Sequence, residues 1–168
     1  MTRLTFSRGE EDGWITVKLN GAIIEGSKEA VSSLTNQPDK KIIFDFENVT
    51  SINTCGIAEW IKFISDFGKQ KNVIYDACSS NIIMLINMVP AFRGGAEIRS
   101  LFRTYFCDKC EKTIEVAVVK GKNMPSAREL KENPNFDDEI KCSKCNGEEP
   151  LEAEVPAEEF FEFIFEEN

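Results

Sequence analysis

Histidine is absent from the 168 residues. That removes the commonest general base, the Ser–His and Cys–His nucleophile pairs, and every zinc site that needs imidazole. Cations are scarce too: 20 Lys and Arg against 29 Asp and Glu leave a formal charge of −9 and a pI near 4.7. Phosphate binding draws on clustered Lys and Arg, so a nucleic acid partner is not expected. Arg93, Arg99 and Arg103 lie close in sequence but make only a weak patch. No run is long enough to cross a bilayer, since the longest, Ile82 to Val89, is broken by Asn87 and falls far short of about 20 apolar residues. The opening MTRLTFSRGEEDGW lacks the apolar stretch of a secretory signal. The expectation is a cytoplasmic protein without direct membrane insertion.

What is present is an ordinary globular composition, 42% hydrophobic and 29% charged, enough to bury a core. Trp14 to Ile24 alternates at Ile15, Val17 and Leu19 and reads as a strand with a turn or bulge at Gly21. Gly26 to Leu34 reads as a short helix ended by Asn36 and Pro38. Lys41 to Phe46 is a dense apolar strand, and Ile57 to Phe67 is the next helix, with Ile57, Ile61 and Ile64 facing the sheet. Asn72 to Asp76 and Ser80 to Val89 repeat the strand–helix rhythm, with Ser79 and Ser80 as caps and Pro90 as the stop. The alternation argues for an α/β layer, helices on a sheet.

After Gly94 and Gly95 the texture changes. Glu97 to Phe106 and Thr113 to Val119 read as two strands, and PAEEFFEFIFEEN reads equally as a docking helix or a short strand. The acidic residues after Lys144 read as a solvated surface. Residues 1–96 and 97–168 are therefore expected to form an α/β domain and a smaller lobe.

The lobe holds two C-x-x-C pairs, Cys107 with Cys110 and Cys142 with Cys145. Two residues between cysteines let both thiolates reach one ion while turn amides point at the sulfurs, and two such knuckles close a tetrahedral site. The expected cofactor is structural zinc, with iron as the runner-up because the same thiolates accept it. Four protein ligands leave no open position for substrate. Cys55 and Cys78 stand outside the pairs and read as small buried thiols; as a nucleophile, Cys55 has no histidine to assist it.

The segment SINTCGIAEW, residues 51–60, lies where the buried strand hands over to a helix. Such a joint gathers unpaired amides and the positive end of a helix dipole. Asn53 or Thr54 caps the helix there, or the Thr54 hydroxyl stands accessible to a phosphate. Trp60, Phe63 and Phe67 widen the apolar stripe and belong either to the core or to a partner surface.

IIFDFENVTSINTCGIAEWIKF resembles the central segment of the STAS family (sulfate transporter and anti-sigma factor antagonist), in which a strand ending in Asp leads through a loop to Asp-Ser-x-Gly opening a helix. ITVKLNGAII resembles that family's preceding strand, and SSNIIMLINMVP its later helix; residues 10 to 105 are covered. The resemblance aligns Asp45 with the strand Asp, Asn53 with the loop Asp, Thr54 with the phosphoacceptor and Gly56 with the Gly. Asn53 departs from the pattern, because the family has a carboxylate there. The resemblance implies a STAS-like sheet with helices packed on it, and the cysteine pairs place a four-cysteine zinc ribbon after it. It implies a non-enzymatic module that binds an anti-sigma factor or kinase-like regulator, released by phosphorylation of Thr54, with Asp45, Asn53, Thr54, Cys55, Gly56, Trp60 and Phe63 as the expected phosphoacceptor and partner-binding residues. The alternative is an accessory STAS subunit of a membrane-associated transporter complex, binding through the same helix without phosphorylation.

Overall fold

The computed structural model describes residues 2–34, 41–68, 72–133, 140–145 and 150–167. Strands β1 (Thr5–Glu11) and β2 (Trp14–Ile23) form a hairpin across Asp12-Gly13, both with positive φ (49° and 78°). That conformation belongs to a two-residue type I′ turn, whose twist matches the flanking strands. The chain continues through α1 (Ser27–Val31), β3 (Lys41–Ile52), α2 (Thr54–Gly68), β4 (Val73–Asp76), α3 (Ser80–Met88) and β5 (Glu97–Ile98). The strands lie in the order β1-β2-β3-β4-β5, with β2 to β5 parallel and β1 antiparallel at the edge. The helix end marked by Asn36 and Pro38 in the sequence lies outside the described residues.

Alternation decides which face is covered. Ile15, Val17 and Leu19 of β2 and Ile42, Phe44 and Phe46 of β3 are buried with Trp60, Phe63, Ile64 and Phe67 of α2. Lys18 and Asp45, from the intervening positions, keep contact with water. The helix thus turns its aromatic stripe inward. Ile64 is buried, whereas Ile57 and Ile61 are only half-buried at the flank. This rotates the inner face expected from the isoleucines, because Trp60, Phe63, Ile64 and Phe67, at i, i+3, i+4 and i+7, offer more apolar area.

Strand β3 runs six residues beyond the apolar core of KIIFDF, through the polar ENVTSI. It keeps parallel partners on β2 by absorbing two register shifts, after Lys18 and after Gly21, and the Asp45 Oδ1 accepts from the Glu47 amide (3.0 Å) at the first. The expected strand Glu97 to Phe106 is divided at Arg99. Its amide donates to the Tyr75 carbonyl (2.9 Å) in the first sheet, and its carbonyl accepts from the Lys120 amide (2.9 Å) beyond the second. Strand β5 closes the first sheet; β6 (Ser100–Cys107) begins a second, antiparallel sheet with β7 (Lys112–Val119) and β8 (Glu152–Ala153), in the order β7-β6-β8.

One core spans both sheets. Leu101 of β6, Val118 of β7, Leu130 of α4 (Ala127–Glu132), and Phe160, Phe161 and Phe163 around α5 (Ala157–Phe160) belong to the same buried cluster as β2 and α2. The C-terminal segment is a four-residue helix followed by a 3-10 turn, Glu162–Glu167. Arg93 and Arg103 are buried, 9% and 1% exposed, so they do not form the basic surface patch considered from sequence. Arg99 pairs with Asp76. Ser79 precedes α3 without a side-chain cap, and the Ser80 hydroxyl instead bonds to the Phe102 carbonyl (3.0 Å) and Thr104 (2.9 Å) across to β6.

Two contacts seat α2 against its neighbours. A Cβ at Gly56 would lie 2.1 Å from the Ile23 carbonyl oxygen at the end of β2, so only glycine permits the approach. The Glu59 carboxylate accepts from the Gly26 and Lys28 amides (3.0 Å each), filling the start of α1. These amides hold its carboxyl below the ordinary glutamate value of 4.5.

Gly56→Ala is expected to lower unfolding stability by about 3 kcal/mol or more, while Gly9→Ala, with open space around it, stays within about 0.5 kcal/mol; urea midpoints of both variants check this. Because the Glu59 value is depressed in the folded state, its contribution is present above the ordinary value and is lost as pH falls below it. Glu59→Gln should cost about 1 kcal/mol at neutral pH, discounted for exposure, and the gap to wild type should close as urea titrations are repeated at acid pH.

Candidate partner site and metal centre

Asn53 is the residue that caps α2. Its Oδ1 accepts from the Gly56 amide (2.8 Å), its carbonyl from the Ile57 amide (2.9 Å), and its own amide donates to the Ile23 carbonyl (3.1 Å). Thr54 is then the first helical residue, and Asn53, Thr54 and Cys55 are all exposed. The burial expected of Cys55 does not hold, because at the start of α2 it points away from the aromatic stripe. Cys78 is fully buried; burial first, then the nearby Asp76 and Asp45, pushes its thiol well up, so it stays protonated.

Beside this helix start lies a cavity of about 360 Å³ between Val49 to Ile52 of β3, Ile57 of α2, and Ser79, Asn81, Ile82 and Leu85 of α3. None of these residues is charged, although the chain as a whole is 29% charged. Hydroxyl and amide groups of Thr50, Ser51, Ser79 and Asn81 alternate there with aliphatic side chains, and Ser51 Oγ is enclosed without a hydrogen-bond partner. Val49 to Ser51 carry no sequence signal for such a site, since apolar periodicity stops at Phe46.

Other residues of the expected surface sit elsewhere. Trp60 and Phe63 are each 1% exposed, and the Trp60 Nε1 donates to the Tyr75 hydroxyl (2.8 Å). They hold the helix on the sheet and cannot touch a partner. Gly56 is likewise buried, serving the approach to β2. Asp45 lies on the opposite face of β3, in register with Lys18 and Asp76. The strand from Asp45 to Ile52 covers about 20 Å at the usual rise per residue, so Asp45 is set apart from Thr54.

The four cysteines meet at the far end of the second sheet. Cys107 ends β6 and Cys110 lies in the turn that joins β6 to β7, with Glu111 at φ 51°. The second pair lies between Lys141 and Pro150, which bridge each other antiparallel. All four sulfurs fall within 4.8 Å of one another; Cys107 to Cys145 is 3.6 Å and Cys110 to Cys142 is 3.8 Å. A tetrahedron of thiolates with metal–sulfur bonds of about 2.3 Å has edges of about 3.8 Å. The geometry therefore fits one tetrahedral metal ion, and it is far from disulfide bonding, where sulfurs approach to about 2 Å.

Burial opposes ionisation of Cys142, but amides of Lys144 and Cys145 and neighbouring thiols bring it down to about 6, and the Lys144 amide points at its sulfur (3.4 Å). Burial and the surrounding thiols push Cys110 up to about 12. Without a metal the four thiols cannot all ionise together; a bound cation would supply the missing charge compensation. Tyr105, Ile114 and Leu151 pack around the cysteines as a small separate core.

Chelation is expected to release one metal ion per chain, and Cys142→Ser to abolish its binding. Metal analysis of the purified chain, with the visible absorption of a cobalt-substituted sample as a marker of tetrahedral thiolate ligation, checks both.

No family model matches the sequence, and no curated protein matches it. Among solved structures, the fold is similar to that of an uncharacterized protein of the DUF3478 family with a SpoIIAA-like fold from Shewanella loihica PV-4. The likeness has 12% sequence identity, covers 66% of this chain and 94% of that one, and has a TM-score of 0.41.

Proposed function

We propose that the chain is a non-enzymatic regulatory module that binds a protein partner at the junction of β3 and α2, with Thr54 as a phosphorylation switch. The observation that carries this reading is the division of labour at the helix start. Asn53 does the capping, which leaves the Thr54 hydroxyl unspent and exposed on the first helical residue. A phosphate added there meets unpaired amides and the positive helix end. Asn53, as an amide, adds no negative charge to repel it.

The uncharged cavity at the junction of β3 and α2 supports the same reading. A partner side chain can leave water there without stranding an ion. Phosphorylation brings about −1.5 to −2 charges and three strongly hydrated oxygens to the helix start, and covering them costs binding free energy. The sequence resemblance to STAS proteins supplies the class of partner, an anti-sigma factor or kinase-like regulator. The four-cysteine centre takes no part in turnover in this reading, because its four ligands fill the tetrahedron. Zinc is its proposed occupant.

In affinity capture from the native cytoplasm, Thr54→Ala should retain the partner that the wild-type chain retains, and Thr54→Glu should lose roughly tenfold or more of it. Equal capture by the two variants overturns the switch.

A further inference from the structure

The C-terminal segment is held by Phe160, Phe161 and Phe163 in the main core and by polar groups outside it. Helix α5 has four residues, too short to persist alone, and the 3-10 turn after it is no better. Its position is set from outside, and the outside groups read its backbone. Asn87 Nδ2 donates to the carbonyls of Glu159 (2.9 Å) and Phe160 (3.0 Å), and Asn87 Oδ1 accepts from the Phe163 amide (3.2 Å). Arg93 donates to the Phe163 carbonyl (3.3 Å), and Arg103 Nη2 to the Val155 carbonyl (2.8 Å). The rings of Phe160 and Phe161 lie against the Arg103 guanidinium, 4.5 and 5.2 Å from it, while Glu158, Glu159 and Glu162 face water. Main-chain hydrogen bonds with aromatic anchors are how grooves bind peptides.

The segment is continuous with the four-thiol centre. Five residues after Cys145, Pro150 bridges Lys141, the Leu151 amide donates to the Ile140 carbonyl (2.8 Å), and β8 pairs with β6 through only two residues, Glu152 and Ala153. So short a strand is not stable by itself. Arg103 makes a second connection. Its Nε donates to the Tyr105 hydroxyl (3.1 Å), and Tyr105 is buried in the small core around Cys107 and Cys142.

We propose that residues 150–165 form a strap latched by the metal: an ion at Cys107, Cys110, Cys142 and Cys145 fixes β8 and Tyr105, and through them Arg103 and the aromatic anchors that close the groove along α3. When the metal leaves, the strap detaches and the groove of Asn87, Arg93 and Arg103 opens. Because α3 also forms one wall of the cavity at the junction of β3 and α2, metal loading bears on that surface from behind. The inference rests on the metal reading of the thiols and is independent of the Thr54 switch.

Hydrogen exchange of the full chain, followed by segment before and after chelation, with released zinc counted by a colorimetric dye, tests it. Residues 150–165 should exchange roughly tenfold or more faster once the zinc is counted out, and α3 should loosen with them. Strands β2 and β3 and helix α2 should keep their protection, and zinc added back should restore the strap. Cys145→Ser, without chelator, should give the same pattern. Release of zinc with residues 156–165 still protected overturns the latch alone. Loss of protection spread evenly over the chain also overturns it, because the strap would then have no separate motion. If no metal is released and Cys145→Ser exchanges as wild type does, the metal reading fails and the latch fails with it.

Discussion

The buried hydroxyl of Tyr75 joins the three parts of the first layer. From β4, it accepts from Trp60 Nε1 (2.8 Å) on α2 and donates to the Phe92 carbonyl (2.9 Å) in the 3-10 turn after α3. Around it Phe44 and Trp60 pack edge-on and Phe46 tilted, with Phe46 4.8 Å and Trp60 6.3 Å from the Tyr75 ring centre, and Phe92 stacks on Trp60 at 5.8 Å. Complete burial raises the phenol's pKa, so it remains a neutral donor throughout the physiological range. A polar chain closed inside an aromatic cluster fixes angle as well as depth, which apolar contact alone does not. The start of α2, and with it the Thr54 hydroxyl, inherits its place from that anchorage together with Gly56.

A second constraint acts at the other end of the molecule. Among the described residues, the small core around the cysteines contains five that are buried, two of them cysteines themselves. So little apolar area contributes little against the cost of ordering its strands. A metal ion held by the four thiolates would supply the missing stabilisation, and Arg103, buried between Tyr105 and the Phe160–Phe161 pair, carries the connection into the main core. A guanidinium suits this position. Its planar face stacks on rings while its edges serve a phenol and a carbonyl.

The β/α rhythm and the cysteine pairs were legible in the residues because each leaves a periodic or spaced signal. Strand β1 was not: its RGEE stretch is exposed on both faces and offers no alternation, and only the Asp12-Gly13 turn marks it. The run of β3 beyond Phe46 was hidden for a related reason, since ENVTSI is held by pairing with β2 rather than by its own apolar character. That hidden strand is what separates Asp45 from Thr54 and builds a wall of the cavity. The orientation of α2 could be read only by weighing area, because the isoleucines and the aromatics mark different faces and the larger rings prevail. The C-terminal segment satisfied helix and strand patterns equally, and groups more than 50 residues away decide its shape.

The sequential strand order carries a geometric result. When each parallel strand is added beside the last by right-handed connections, every crossover helix falls on one side of the sheet. The reverse side carries Thr16, Lys18 and Asp45 together with the isoleucines Ile43 and Ile74. A fluorophore or surface tether attached through the exposed Lys18 would therefore sit on the side of the sheet opposite the crossover helices.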